Sequence, residues 1–93
     1  MDTLNLPQAA LRLSTQDGHA MVFDPLRRKY VALTPEEWVR QHFVHFLITC
    51  KGYPAGLIAN EMAITLNGTR KRCDSVVFGQ HAQPLMILEY KAP

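Results

Sequence analysis

Met62-Ala63-Ile64-Thr65-Leu66-Asn67-Gly68-Thr69-Arg70-Lys71-Arg72-Cys73-Asp74-Ser75-Val76-Val77-Phe78 is the stretch that decides the fold. Met62, Ile64 and Leu66 alternate with Ala63 and Thr65, the period that puts successive side chains on opposite faces of a strand. Asn67-Gly68 follows, a dipeptide that enters the left-handed backbone region at little cost and so favours the tight turn of a β-hairpin. Arg70 to Phe78 is then the returning strand. Beyond it, Gly79-Gln80-His81-Ala82-Gln83-Pro84 leads to a further strand-like segment, Leu85 to Lys91.

Upstream of the hairpin, Thr34-Pro35-Glu36-Glu37 combines an N-cap threonine, a proline at the first helical position and a glutamate three residues after the cap. That pattern satisfies backbone N–H groups a helix start would otherwise orphan, so a helix begins there. Val39, Phe43, Phe46, Leu47 and Cys50 recur at helical spacing beside Trp38, whereas Arg40, Gln41, His45 and Thr49 are expected to face elsewhere. Gly52 and Pro54 end the helix. Before it, Leu11 to Leu13, Ala20 to Phe23 and Tyr30 to Leu33 read as short strands broken at Asp17-Gly18 and Asp24-Pro25.

The order predicts an α/β (α+β) fold: short N-terminal strands over residues 10–33, then one main helix and a three-stranded antiparallel meander over residues 34–91. Residues 1–93 read as a single domain, since the length is below that of one average domain. An apolar content of 47%, with 5 glycines and 6 prolines, excludes disorder and collagen-like repeats. The net charge of +2 is too small to name nucleic acid as a partner by itself. Cys50 and Cys73 have no metal-ribbon spacing and are expected to be buried free thiols. Met1-Asp2-Thr3-Leu4 lacks the basic start of a signal peptide, and no apolar run exceeds four residues, so the expected setting is cytoplasmic and away from membranes.

Register carries the chemistry. A two-residue turn at Asn67-Gly68 places Glu61 opposite Asp74. A loop symmetric about His81-Ala82 places Asp74 opposite Glu89, and Arg72 opposite Lys91. Three carboxylates would then lie side by side, an arrangement that is destabilising unless a cation or a raised pKa offsets it. Mg²⁺ takes oxygen ligands and uses one or two carboxylates with phosphate and water, so these acids make a candidate metal site. Lys91 lies two residues beyond Glu89, on the same side, where it can orient an attacking water or stabilise charge on a phosphate. These are parts for metal-assisted phosphodiester hydrolysis. A solvated salt-bridge face is the other reading of the same residues, and a one-residue slip in either loop would scatter them.

Arg72-Cys73-Asp74-Ser75-Val76-Val77 followed by Pro84-Leu85-Met86-Ile87-Leu88-Glu89-Tyr90-Lys91-Ala92-Pro93 resembles the PD-(D/E)xK nuclease superfamily. More narrowly, with Asp24 to Gln41, the chain is similar to the N-terminal nuclease domain of type I restriction enzyme R subunits. The resemblance implies a restriction-endonuclease-like core with Asp74, Glu89 and Lys91 as catalytic residues. Asp74 and Glu89 would hold Mg²⁺, with the Tyr90 carbonyl as a possible addition. It also implies a helical acid, for which Glu37 and the adjacent Glu36 are both candidates; Glu61 is a further ligand candidate on register grounds. Two departures stand out: Cys73 takes the place of the motif proline, and the superfamily's second core helix and fourth strand have no counterpart after Lys91. The 93 residues therefore read as a truncated core that keeps its motif but is expected to cleave poorly alone.

Arg70, Lys71 and Arg72, and likewise Arg27-Arg28-Lys29, are basic clusters suited to DNA phosphates, though such runs are often solvated turns. His42 and His45 lack further ligands and read as structural. Trp38 and Phe43 read as core. The expected function is Mg²⁺-dependent DNA endonuclease chemistry, with DNA and either restriction-modification subunits or a second copy as partners. The alternative is a non-catalytic nucleic-acid-binding or protein-interaction module on the same fold.

Overall fold

Asn67 and Gly68 take φ values of 50° and 78°, the pair of left-handed residues that a type I′ turn requires. The computed structural model describes residues 4–92. The turn joins β4 (Ile58–Leu66) to β5 (Thr69–Phe78), and β6 (Pro84–Leu88) completes an antiparallel sheet in the order β4-β5-β6. The preceding residues form a second such sheet, β1 (Leu13–Gln16), β2 (His19–Asp24) and β3 (Lys29–Ala32), followed by α1 (Pro35–Thr49). The fold is α+β, one helix with two small antiparallel sheets. No described helix is long and apolar enough to cross a membrane.

The registers follow the turns. Leu66 lies opposite Thr69, Met62 opposite Cys73 and Asn60 opposite Ser75, the pairing the Asn67-Gly68 turn dictates. In the next pair Ser75 lies opposite Leu88, Val76 opposite Ile87 and Val77 opposite Met86, with a shift at Phe78, which meets Pro84. β4 starts at Ile58, earlier than its alternation suggests, because Ile58 packs with Val44, Leu47 and Val77 beneath the helix. β6 ends at Leu88, so Glu89, Tyr90 and Lys91 lie past the strand instead of within it. β1 is displaced toward its turn: Asp17-Gly18 pairs Gln16 with His19, which shifts the strand from Leu11–Leu13 to Leu13–Gln16.

Helix α1 starts as its cap requires. The Thr34 hydroxyl accepts from the Glu37 N–H at 3.0 Å, and Pro35 occupies the first turn. Its buried face differs from the apolar stripe expected from spacing. Glu37, Arg40, Gln41, Val44 and Leu47 are buried, whereas Phe43 and Phe46 are only half-buried and Cys50 is exposed. Val44 and Leu47 anchor the apolar end of that face on Ile58 and Val77, each fully buried side chain stabilising by about 1.5–3 kcal/mol. The charged end is buried because it is paired across the fold. Cys73 is buried as expected, and neither cysteine is in a disulfide.

The two faces of the β4-β5-β6 sheet carry separate apolar clusters. Val77 and Ile58 meet the helix with Met86 and Leu88, and Val76 and Cys73 pack with Ile64, Phe78 and Ile87 on the other side. Under unbroken alternation Ile64 would share a face with Ile58 and Val77. Glu61 explains the change: it holds φ at 55° in the middle of β4, and the alternation of side chains reverses across it.

Candidate functional site

The reversal at Glu61 lies opposite Asp74, in the gap between the partner pairs Asn60–Ser75 and Met62–Cys73. Asp74 also lies one position beyond the last β5–β6 pair, Ser75–Leu88. Its hydrogen bonds there come from outside the ladder. The Tyr90 N–H donates to Asp74 Oδ2 at 2.8 Å, and Arg40 Nη1 donates to the Asp74 carbonyl at 2.6 Å. Asp74 is thereby tied to the middle residue of Glu89-Tyr90-Lys91.

The three acids are not presented as one row. Glu61 Oε2 lies 3.0 Å from Arg40 Nη1 and its other oxygen 3.8 Å from Arg72. Glu89 is exposed and pairs with Lys71 at 3.7 Å. Lys71 is two residues from Cys73, so Glu89 is on the sheet face turned away from the helix, while Glu61 is turned toward it. Lys91 is exposed and takes part in no ion pair among the described residues. Arg70, Lys71 and Arg72 are exposed along the first half of β5. Among the described residues, no group of three acids, histidines or cysteines is placed to hold a metal ion.

The structure separates Glu36 from Glu37. Glu36 is exposed, and Glu37 is buried with Arg27 Nη2 2.8 Å from each of its oxygens. Gln41 donates to the same carboxylate at 2.9 Å, and Arg40 Nε lies 3.3 Å from it. Arg27 also bonds Asp24. Asn60 Nδ2 donates to Asp24 Oδ2 at 3.0 Å, and Ser75 Oγ donates to Asn60 Oδ1 at 2.6 Å. A continuous polar chain thus runs from Ser75 through Asn60, Asp24, Arg27 and Glu37 to Arg40. Asp24, Arg27, Arg40, Asn60 and Ser75 carry it; of these the sequence singled out Arg27 alone, and for phosphate contact within a basic cluster instead of for a buried ion pair. One signal was present: Glu37, Arg40, Gln41, Val44 and Leu47 recur at helical spacing as one face, polar at its start and apolar at its end.

Burial by itself would raise Asp24, but hydrogen bonds from Asn60, Arg27 and the Leu26 N–H, with the Arg27 charge, hold it below its usual 3.8. The same two carboxylates, Asp24 and Glu37, hold Arg27 above its ordinary value against the opposing effect of burial. A depressed carboxylate adds stability that is present above its unfolded pKa and is lost as pH falls through the folded one. Thermal melts followed by circular dichroism should therefore show wild-type stability falling from about pH 5 downward. Asp24→Asn should start lower and lose less over the same interval; equal slopes would contradict the assignment.

The remaining features are structural. His42 is buried, its Nδ1 2.9 Å from the Trp38 carbonyl. Its contact with Trp38 (ring centroids 4.4 Å apart) uses the ring for packing. Of Arg27-Arg28-Lys29, Arg27 is turned inward, leaving Arg28 and Lys29 exposed.

Residues 35–93 match the protein family described as type I restriction enzyme R protein N terminus. No curated protein and no solved structure matches the chain.

Proposed function

Because the chain belongs to the type I restriction enzyme R protein N-terminal family, we propose that it is a Mg²⁺-dependent endonuclease-like domain of PD-(D/E)xK type that hydrolyses DNA phosphodiesters. One observation carries the reading: the hydrogen bond from the Tyr90 N–H to the Asp74 carboxylate at 2.8 Å, which joins the aspartate strand to the Glu89-Tyr90-Lys91 triplet. The donor set fits a hard cation. Asp74 is half-buried with Oδ1 unengaged by any described residue, and Glu89 is exposed in the same segment as the Tyr90 carbonyl. Asp74 and Glu89 would hold Mg²⁺, which when bound polarises a phosphate oxygen and acidifies a water. Glu37 and Glu61 are each committed to arginines, which leaves them a supporting place around this pair.

The chain's own residues supply the rest. Lys91, exposed and outside any described ion pair, orients the attacking water or neutralises charge growing on the phosphate. Tyr90 is buried against Phe43, ring centroids 6.3 Å apart, and fixes the segment that carries Glu89 and Lys91. The test is cleavage of plasmid DNA in the presence of Mg²⁺ by wild type, Asp74→Ala and Lys91→Ala. Equal rates in all three remove the proposal. Restriction-modification subunits are the partners that this family membership supports.

Arg70, Lys71 and Arg72 extend the site toward DNA. Their β4 partners Thr65, Ile64 and Ala63 are neutral, and the acids that Lys71 and Arg72 do meet, Glu89 at 3.7 Å and Glu61 at 3.8 Å, form long surface pairs that a phosphate can displace. Each phosphate contact contributes about 0.9 to the slope of log affinity against log salt. Replacing all three by alanine should reduce that slope by about 2 to 3. Fluorescence anisotropy with a labelled duplex measures it, and an unchanged slope would remove the strand from the interface.

A second reading has its own observation. Arg70, Lys71 and Arg72 stand exposed along β5, a basic strand that can meet phosphates without a metal, which favours a non-catalytic module that binds DNA without turnover. Binding unaffected by Mg²⁺ or by loss of Asp74 would select it.

A further inference from the structure

We propose that Arg40 is the positioning residue of this centre: where β6 leaves β5 without a ladder partner, its guanidinium sets where Asp74 stands. The proposal rests on the nuclease reading for its kinetic consequence and on the geometry for its structural one. Asp74 lies beyond the last β5–β6 pair, where β6 has ended at Leu88. In an ordinary ladder the neighbouring strand would engage the Asp74 backbone. Arg40 Nη1 meets the Asp74 carbonyl instead, at 2.6 Å, and the Tyr90 N–H meets the carboxylate at 2.8 Å.

Arg40 joins four segments at this point. From α1 it reaches Glu61 on β4 at 3.0 Å and Asp74 on β5. It also sits over the Tyr90 ring, with the guanidinium carbon 5.6 Å from the centroid. On its own helix it lies 3.3 Å from Glu37. The residue is only 7% exposed. A buried cation survives only when it is paired and hydrogen-bonded, and Glu37 and Glu61 supply the compensating charge. Glu61 is thereby taken up by Arg40, and Glu37 is shared between Arg27 and Arg40, which leaves Asp74 and the exposed Glu89, paired only with Lys71 at 3.7 Å, open to a metal.

The shape of the side chain matters. A guanidinium carries five donors in a fixed planar fork, so one group can face Glu61, the Asp74 carbonyl and Glu37 together. A lysine has the charge without the fork, and a methionine has the length without either. Glu61 supports the same conclusion from the opposite strand. A non-glycine residue at φ 55° in mid-strand is a strained conformation that persists only where its surroundings impose it. Here the Glu61 carboxylate is held between Arg40 and Arg72.

The experiment uses the whole chain with Arg40→Lys and Arg40→Met. Circular dichroism establishes which variants fold. Native-state hydrogen exchange by NMR then compares the Tyr90 amide with those of Val76 and Val77, and Mg²⁺-dependent cleavage is resolved into kcat and KM. The expected result is a Tyr90 amide that exchanges at least about 10-fold faster while Val76 and Val77 keep their protection. With it, kcat falls by about 10²-fold and KM stays within about 3-fold, as for a group that aligns the centre without binding substrate. Wild-type exchange and kcat in a folded variant overturn the proposal. Should wild type not cleave DNA, the nuclease reading falls, and selective loss or retention of Tyr90 protection still decides for or against Arg40's hold on Asp74. Should neither variant fold, the Arg40 guanidinium nitrogen resonances of the wild type decide: separate, slowly averaging signals support a fixed fork, and one averaged signal overturns it.

Discussion

Arg27→Met is expected to lower stability by roughly 3–5 kcal/mol, because it removes one partner from a buried ionic network and leaves the others charged. Arg27 bonds both oxygens of Glu37 at 2.8 Å and also bonds Asp24. Both acids are buried, Asp24 completely. Without the guanidinium they face each other's surroundings with only Asn60, Gln41, Arg40 and the Leu26 N–H as partners. Domains commonly retain only about 5–15 kcal/mol in total, and small ones lie toward the low end. The melting temperature should therefore fall by on the order of 15–30 °C, if a transition survives at all. Arg28→Met is the control, since Arg28 is adjacent but exposed, and it should shift stability by no more than about 0.5 kcal/mol. Arg27→Lys should fall between them, keeping the charge and losing the fork. Equal melting temperatures for Arg27→Met and Arg28→Met would contradict the network.

The second large effect belongs to the proposed nuclease activity. Lys91→Ala should reduce kcat by about 10²–10⁴-fold, the usual contribution of a group that moves or orients a proton in the transition state. Lys91 is exposed and in no described ion pair, so its removal should leave the melting temperature unchanged. Lys71→Ala separates the roles. Lys71 pairs with Glu89 at 3.7 Å on the surface, and such pairs contribute about 0–1 kcal/mol. It should weaken DNA binding in a salt-dependent way and leave kcat within about 3-fold. Similar kcat losses in both variants would place Lys91 among the phosphate contacts and not at the chemistry.

What was legible in the sequence was what local chemistry decides. Thr34-Pro35-Glu36-Glu37 opens a helix because its groups cap each other within one turn, and Thr34 does accept the Glu37 N–H. Asn67-Gly68 sets the β4–β5 register because only such a pair holds two successive positive φ values, and the observed partners follow it throughout. The helix face was misread for the opposite reason. Glu37, Arg40 and Gln41 look solvent-facing by residue type, and they are inside because Arg27, Glu61 and the Asp74 carbonyl, distant in sequence, meet them there. Periodicity holds no information about such partners. The row of three acids is interrupted at two places, at Glu61 and past the end of β6 at Leu88. Glu61 at φ 55° reverses the alternation of β4, which turns it to Arg40 while Glu89 turns to Lys71. Nothing in Asn60-Glu61-Met62 announces that conformation.

The central claim is that Asp74 and the Glu89-Tyr90-Lys91 segment form a divalent-ion-dependent nuclease centre. Its most direct test is an extended time course of supercoiled plasmid incubated with a molar excess of the purified chain, conditions that register slow nicking by a core expected to cleave poorly alone. Wild type and Asp74→Asn are compared with Mg²⁺ and with chelator, circular dichroism having first established that both are folded. Nicking by wild type that requires Mg²⁺ and falls by at least about 10³-fold in Asp74→Asn is the predicted result. Nicking that survives the chelator or the substitution, or no nicking by folded wild type with Mg²⁺, would contradict the claim.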